Sequence, residues 1–285
     1  MIEFLTDLAS FPFLRNALLA GVLASVACGV MGSYVVARRI TYIAGAISHS
    51  VLGGMGAARY CQVVLGWSWF TPLLGALAAA LASALVIGLV SLRSKGREDT
   101  VIGAVWAIGM AAGIMFIFRT PGYNEDLMSY LFGNILMVTG RDLWLMAGLD
   151  LLIVGLAALF YNKFLAVCFD GEFALLRGVN VEGYYLLLLG LTALTVVLVL
   201  SVVGIVMVIA LLTLPAATAG YFSRRLLGMM GLSVLFSVLF TTGGLALSYG
   251  PNLPTGATII LLAGGVYLCA AFFSQRVKAR RRAGG

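Results

Sequence analysis

Long apolar blocks alternate with short polar or charged segments along the whole of this chain. Each block is roughly 18 to 24 residues long, which is the length at which an α-helix crosses the hydrocarbon of a bilayer. The pattern predicts nine membrane-spanning helices, although eight or ten would also fit it. The blocks cover residues 14–37, 42–63, 70–92, 100–118, 141–160, 182–200, 203–222, 227–248 and 255–275.

The composition indicates that lipid, not water, is the main solvent of this chain. Of its 285 residues, 62% are hydrophobic and 10% are charged, whereas charged residues make up about 25% of a soluble domain. Because the predicted spans take up most of the chain, no stretch remains for a separate soluble domain of ordinary size. We predict an all-α integral membrane protein with a single transmembrane domain over residues 1–285.

Basic residues are distributed unevenly between the two sides of the membrane. If the N-terminus is outside, 14 of the 18 Lys and Arg residues fall on one side and 4 on the other. Cytoplasmic loops carry such an excess, so we predict an outer N-terminus and a cytoplasmic C-terminus. This topology explains the net charge of +7 without a nucleic-acid partner. The cluster Arg280–Arg282 suits contact with anionic lipid or simple anchoring of the last span.

Two short segments outside the spans have helical patterns of their own. Leu127–Val138, on the predicted outer side, is too short to span and has Gly133 and Asn134 in its middle, so we predict a re-entrant or interfacial helix. The other segment lies on the predicted cytoplasmic side, near residues 168–179.

That cytoplasmic segment predicts a helix of about seven residues. Asp170 suits its N-cap, Glu172 its first turn and Gly178 its end. Its apolar side consists of Phe169, Phe173 and Leu176. Such a helix either lies on the membrane interface or docks in a groove of another protein, and the pattern favours neither.

The chain has no phosphate-binding loop of the form G-x-x-x-x-G-K-[ST], no H-E-x-x-H motif and no G-x-S-x-G motif. We therefore expect no catalytic residues and no ATP hydrolysis by the chain itself. Uphill transport would draw its energy from an ion gradient or from a partner subunit. Gradient-driven carriers usually place several ionisable groups in the membrane, and here there are few.

Two ionisable residues, His49 and Asp150, fall well inside predicted spans, where each costs a few kcal/mol unless it faces protein or water. His49 shares a helix face with Gly45, Gly53 and Gly56, which either pack a neighbour or line a passage. Both residues are therefore candidates for an ion pathway. The alternatives are a hydrogen-bonded packing histidine and an interhelical hydrogen bond from Asp150.

Five segments of the chain resemble, in the same order, the permeases of the zinc and manganese uptake ABC transporters. They are Arg38–Gly54, Leu127–Thr139, Cys168–Val179, Val202–Gly220 and Gly250–Ala263. The resemblance implies a fold similar to type II ABC importer permeases. It also implies a homodimer in the bacterial inner membrane, a cytoplasmic ATPase subunit that binds the ATP, and an extracytoplasmic metal-binding protein. The chain itself would hold no cofactor and would pass zinc, manganese or iron.

The resemblance assigns roles to particular residues of this chain. The coupling helix that inserts into the ATPase would comprise Phe169, Asp170, Glu172, Phe173, Ala174 and Gly178. His49 matches the histidine of the family's G-D-x-x-x-H pattern, but the aspartate of that pattern is Gly45 here. The histidine that some zinc members carry in the fourth span falls at about Ala107. The ligand set is therefore smaller than in those relatives.

Pro215 removes one helical hydrogen bond and can break the seventh span, and we interpret it as either a gate or a kink with small-residue packing. Two other functions remain open at this point. One is a gradient-driven carrier or channel without an ATPase. The other is an ABC permease for a metal chelate such as a siderophore or cobalamin.

Overall fold

The computed structural model describes residues 7–8, 10–93, 98–121, 133, 135–251 and 253–283, without the side chains of 201, 202 and 275–283. All regular secondary structure in these residues is helical. The α-helices are α1 (Pro12–Arg38), α2 (Thr41–Val64), α3 (Pro72–Arg93), α4 (Glu98–Arg119), α5 (Gly140–Leu159), α6 (Tyr161–Phe169), α7 (Gly171–Leu176), α8 (Val181–Val203), α9 (Ile205–Phe222), α10 (Leu226–Tyr249) and α11 (Thr255–Ala283).

Nine of the helices in the described residues have 18 residues or more, and each overlaps one predicted span. Eight of these are long and apolar enough to cross a membrane. The ninth, α2, has 24 residues but also carries Ser48, His49 and Ser50 near its middle. The predicted all-α membrane protein with about nine spans is confirmed.

The short elements differ from the prediction in two ways. The segment after the fifth span contains α6 as well as the predicted α7, and α6 has nine residues that the sequence pattern did not single out. The predicted helix Leu127–Val138 falls largely outside the described residues. The described part shows a single 3-10 turn, Ile135–Met137.

The contacts divide the chain into two compact units. The first comprises Met1–Ala37, Asn134–Val154 and Ala210–Gly285, and the second Arg38–Gly133 and Gly155–Ile209. The prediction of one membrane domain over the whole chain stays a prediction.

In the first unit, α1 packs against α9 and α10 through small residues. A Cβ added at Gly21 would lie 3.5 Å from Thr241, and one at Gly32 would collide with the carbonyl oxygen of Leu212. The hydroxyls of Ser25 and Thr241 lie 3.2 Å apart across the α1–α10 contact. Close approach of backbones is how helices associate where lipid removes the hydrophobic driving force.

Helix α9 runs without interruption from Ile205 to Phe222 with Pro215 inside it, so the helix does not end at the proline. The gate or kink at Pro215 stays a prediction. Proline deletes only one backbone hydrogen bond, and the helix retains the others. The boundary between α8 and α9 lies at Gly204, where φ is 80°, close to the predicted boundary at residues 201–202. Glycine adopts this left-handed conformation at no steric cost.

Candidate functional site

Helix α2 is held between α3 and α4 by glycine contacts. A Cβ added at Gly53 would lie 2.8 Å from the carbonyl oxygen of Gly109, and one at Gly56 would lie 2.8 Å from that of Gly113. On the α3 side, a Cβ at Gly54 would collide with Gly75. Only hydrogen fits at these positions, so the α2 backbone lies directly on its neighbours.

The polar residues of α2 are accommodated inside this packing. Ser50 is buried and accepts a hydrogen bond of 2.7 Å from Ser83 on α3, while the Ser48 hydroxyl donates to the carbonyl oxygen of Ala44. These bonds satisfy groups that would otherwise be costly in hydrocarbon. They explain how a helix less apolar than its neighbours is tolerated among spans.

His49 lies half-buried on α2 and faces α4. Its ring stacks on Trp106, with 4.2 Å between ring centroids and 13° between ring planes. The indole N–H of Trp106 is directed at the Sδ of Met110, 3.2 Å away. Within the described residues, the buried Nδ1 of His49 has no hydrogen-bond partner. The alternative of a hydrogen-bonded packing histidine finds no support at this nitrogen.

Of the two positions that the resemblance singled out, Gly45 adjoins Trp106, whereas Ala107 is exposed. A Cβ added at Gly45 would lie 3.7 Å from Trp106 and 4.0 Å from Ile209, which is ordinary contact distance. Ala107 is on the exposed side of α4. No group of three or more His, Cys, Asp or Glu side chains able to hold a metal occurs in the described part of the chain. His49 is therefore not part of such a group in the described residues.

Asp150 belongs to the first unit, whereas His49 belongs to the second. Its side chain is on the buried stripe of α5 with Met146 and Ile153 and is only 5% exposed. Neither carboxylate oxygen has a hydrogen-bond partner among the described residues. The interhelical hydrogen bond considered from the sequence is not found there.

The predicted short helix on the cytoplasmic segment is present as α7. The carboxylate of Asp170 caps it by accepting a 2.9 Å hydrogen bond from the backbone N–H of Phe173. At its end, Gly178 has a φ of 75°, its N–H donates to the carbonyl oxygen of Leu175, and the N–H of Val179 donates to that of Ala174. This pair of bonds is the Schellman motif. The predicted cap and the predicted glycine stop are both confirmed.

The surface of α7 is apolar and exposed. Phe173 is 50% and Leu176 is 86% exposed. Leu175, which sequence reasoning missed, is 65% exposed. Ala174 is only 1% exposed, so it anchors the helix from beneath and is not part of the surface. The outer face thus consists of Phe169, Glu172, Phe173, Leu175 and Leu176, and we call it the α7 face.

Helix α6 provides the base on which α7 sits. Its buried Phe164 meets Tyr184 of α8 edge to face, with centroids 6.2 Å apart, and Phe160 lies 5.5 Å from the same ring. At the end of α6, Cys168 is buried, and this burial raises the pKa of its thiol to about 11. The positive charge of Arg38 acts on that pKa in the opposite direction. The α7 face is therefore carried by a packed aromatic support.

Comparison with known proteins identifies the family. Residues 10–274 match the ABC 3 transport family. The chain belongs to that family. A relative of this ABC 3 permease, the "Probable metal transport system membrane protein" of Chlamydia pneumoniae, is 42% identical over 94% of this chain and 92% of that protein. The manganese transport system membrane protein MntC of Halalkalibacterium halodurans is 36% identical over 96% and 91%, respectively.

A solved structure agrees with this assignment. The ABC 3 permease is similar to PsaBC from Streptococcus pneumoniae in complex with Fab, with a TM-score of 0.83, 32% identity and 95% of each chain covered. The resemblance that five sequence segments carried is thereby confirmed. The chain is a multi-pass membrane permease of the ABC class.

Proposed function

We propose that this ABC 3 permease passes a divalent transition-metal ion, manganese or zinc, into the cell, driven by a separate ATPase subunit. The match to the manganese transport protein of Halalkalibacterium halodurans, which extends over 96% of this chain, carries the proposal. Iron is the third candidate, because one imidazole does not select among these metals.

The proposed assembly has three kinds of subunit. Two copies of the permease form a homodimer in the inner membrane, each docks one cytoplasmic ATPase subunit that binds ATP, and a metal-binding protein delivers the ion outside. The N-terminus is outside and the C-terminus is cytoplasmic, near anionic lipid. The uneven distribution of Lys and Arg supports this orientation.

The α7 face is the proposed contact with the ATPase. Exposed Phe173, Leu175 and Leu176 supply apolar area, and Glu172 supplies a charge beside it. An amphipathic helix that offers apolar side chains to a groove is a common mode of protein recognition. ATP binding would move α7 together with its support and switch which side of the membrane is open.

His49 is the proposed ligand that meets the ion during passage. Its buried Nδ1 without a described partner and its place on the glycine-packed α2 support this role. Asp150 is a second proposed pathway residue, because its carboxylate is buried without a partner in the described residues. Pro215, inside a continuous α9, is proposed as a point at which that helix bends during gating.

The docking role is tested in proteoliposomes that contain the permease, the ATPase and the metal-loaded binding protein. Phe173→Ala and Leu176→Ala should abolish most metal-stimulated ATP hydrolysis and leave a folded permease dimer. Leu261→Ala, at a leucine of α11 that is 76% exposed, is the matched control and should be neutral. Full stimulated hydrolysis in both α7 variants would refute the docking role.

The cargo is tested in the same proteoliposomes. The binding protein is loaded in turn with manganese, zinc and iron, and the metal that stimulates ATP hydrolysis most is the cargo. Uptake without any ATPase would favour a gradient-driven carrier. Stimulation by a metal chelate alone would replace the free ion with a chelate.

A further inference from the structure

The ring of His49 is held by aromatic stacking. In most metal-binding histidines, a hydrogen bond from the second ring nitrogen to a carboxylate or carbonyl fixes the ring. Here the described residues offer no partner to the buried Nδ1. The ring lies 4.2 Å from Trp106 and almost parallel to it. We propose that Trp106 is a positioning residue that orients His49 and stabilises its ion-bound form, an inference that rests on the proposed pathway role of His49.

The indole itself is well placed for this task. Its N–H points at the Sδ of Met110, one turn along the same helix, which limits rotation of the ring. The backbones beneath the two rings are in contact, because a Cβ added at Gly109 would collide with Ser50 next to His49. The separation of the two rings is therefore set by backbone packing as well as by the side chains themselves.

The stacking favours a loaded imidazole over an empty one. A metal ion bound to a ring nitrogen withdraws electrons and makes the imidazole more positive. The face of an indole carries negative charge density, so it attracts such a ring more strongly than a neutral one. Trp106 also covers one face of His49 and leaves the edge with the nitrogens for the ion. The tryptophan thus orients the His49 ring and supplies part of the affinity for the ion, as a second ligand would.

The space beside the indole agrees with this assignment. Gly45 lies one helical turn before His49. A Cβ added at Gly45 would lie 3.7 Å from Trp106, which is ordinary contact distance. An aspartate there would place a carboxylate next to the indole. In this chain residue 45 is glycine, and the ring of Trp106 lies beside it.

The kinetic test uses metal-driven uptake in the reconstituted complex. Trp106→Leu should raise the KM for the metal-loaded binding protein or the ion by roughly three- to tenfold with little change in kcat, because the stacking contribution is lost. Trp106→Phe keeps a stacking ring and should retain most of the affinity. Trp144→Leu, at an 82% exposed tryptophan on α5, is the matched control and should leave KM unchanged.

A spectroscopic test separates positioning from a purely structural role. The chain has four tryptophans, so replacing Trp67, Trp69 and Trp144 by Phe leaves Trp106 as the sole emitter. Added Zn²⁺ should change its emission saturably, and His49→Gln should abolish that change. This measurement needs only the folded permease, so a flat titration would count against the role of Trp106 even if Trp106→Leu fails to fold.

The possible failures are distinguishable. A flat Zn²⁺ titration, together with slowed uptake in His49→Gln, would overturn the role of Trp106 and keep that of His49. Unchanged uptake in His49→Gln would remove the pathway role itself, and the inference with it.

Discussion

The pKa of the buried Cys168 thiol is set by its surroundings. Burial raises the pKa of its thiol to about 11, and the charge of Arg38 lowers it. The reactive form of cysteine is the thiolate, whose pKa in a free side chain is about 8.5. At neutral pH the thiol of Cys168 is therefore almost entirely protonated and should react slowly with alkylating agents.

We expect the alkylation rate of Cys168 to be low at pH 8 and to climb as the pH approaches about 11. The measurement uses a variant in which Cys28, Cys61 and Cys269 are replaced by Ser. Arg38→Gln removes the charge that lowers the pKa, so the pKa rises further and the rate at any pH below it falls. A rate at pH 8 equal to that of a free thiol would contradict the expectation.

Residue-scale predictions from sequence succeeded where the signal was local. Asp170 and Gly178 were identified from spacing, since a cap and a left-handed stop involve bonds over only a few residues. Trp106 and Leu175 were missed. The stacking of Trp106 joins two helices, and the exposure of Leu175 depends on which side of α7 faces α6 and α8. Neither the stacking of Trp106 nor the exposure of Leu175 can be predicted from the residues next to them in the sequence.

At the scale of helices, the glycines divide into those in contact and those in open space. A Cβ at Gly54 would collide with Gly75 and come within 2.6 Å of the Cβ of Ala79. We expect Gly54→Ala to lower the free energy of unfolding by about 1 to 3 kcal/mol, as overpacking does. Thermal unfolding in detergent measures this effect.

Gly103 on α4 is the control, because nothing lies within 4 Å of a Cβ added there. Gly103→Ala should be neutral or raise the free energy of unfolding by roughly 0.5 to 1 kcal/mol, as alanine favours helix more than glycine does. Equal shifts in the two variants would show that the α2–α3 contact is looser than the structure has it.

The two residues that close the ends of α7 should each contribute to its local stability. Asp170→Ala should cost about 1 kcal/mol of local stability, because the N–H of Phe173 loses its acceptor. Gly178→Ala should cost a similar amount at a φ of 75°. Faster hydrogen exchange at the α7 amides in both variants, with unchanged exchange in α8, is the expected readout. Uniformly faster exchange would mean that the support had loosened as well.

Helices were predictable from the sequence to different degrees. The nine long helices follow from hydrophobic length alone. Helix α6 was not identified, since its nine residues continue the preceding span with only a short interruption at Phe160. The break between the sixth and seventh spans was predicted at residues 201–202, two residues before Gly204, whereas the left-handed φ of Gly204 becomes visible only in the structure.

For the whole molecule, the uneven distribution of charge predicts orientation. A fluorescent protein fused after residue 285 should fluoresce, because it folds in the cytoplasm. Alkaline phosphatase fused at the same place should be inactive, and the same enzyme fused before Met1 should be active. The reverse pattern of activities would invert the proposed topology.

Membrane location is the property of the whole molecule that the sequence predicts best, because hydropathy adds along the chain and needs no knowledge of contacts. The proposed homodimer and the proposed path of the ion depend on surfaces that meet only after folding. The pairing of His49 with Trp106 is of this kind: one residue lies on α2 and the other on α4, and only packing makes them neighbours.

The closure of α7 at both ends has a consequence for assembly. A protein that docks on the α7 face meets a helix already formed by its own cap and stop. Association then carries no entropic cost of ordering this segment, and encounter need not wait for a coil to wind. The permease should therefore bind such a protein at a rate set by diffusion and orientation. Replacing Asp170 or Gly178 should slow this association more than it weakens the finished complex.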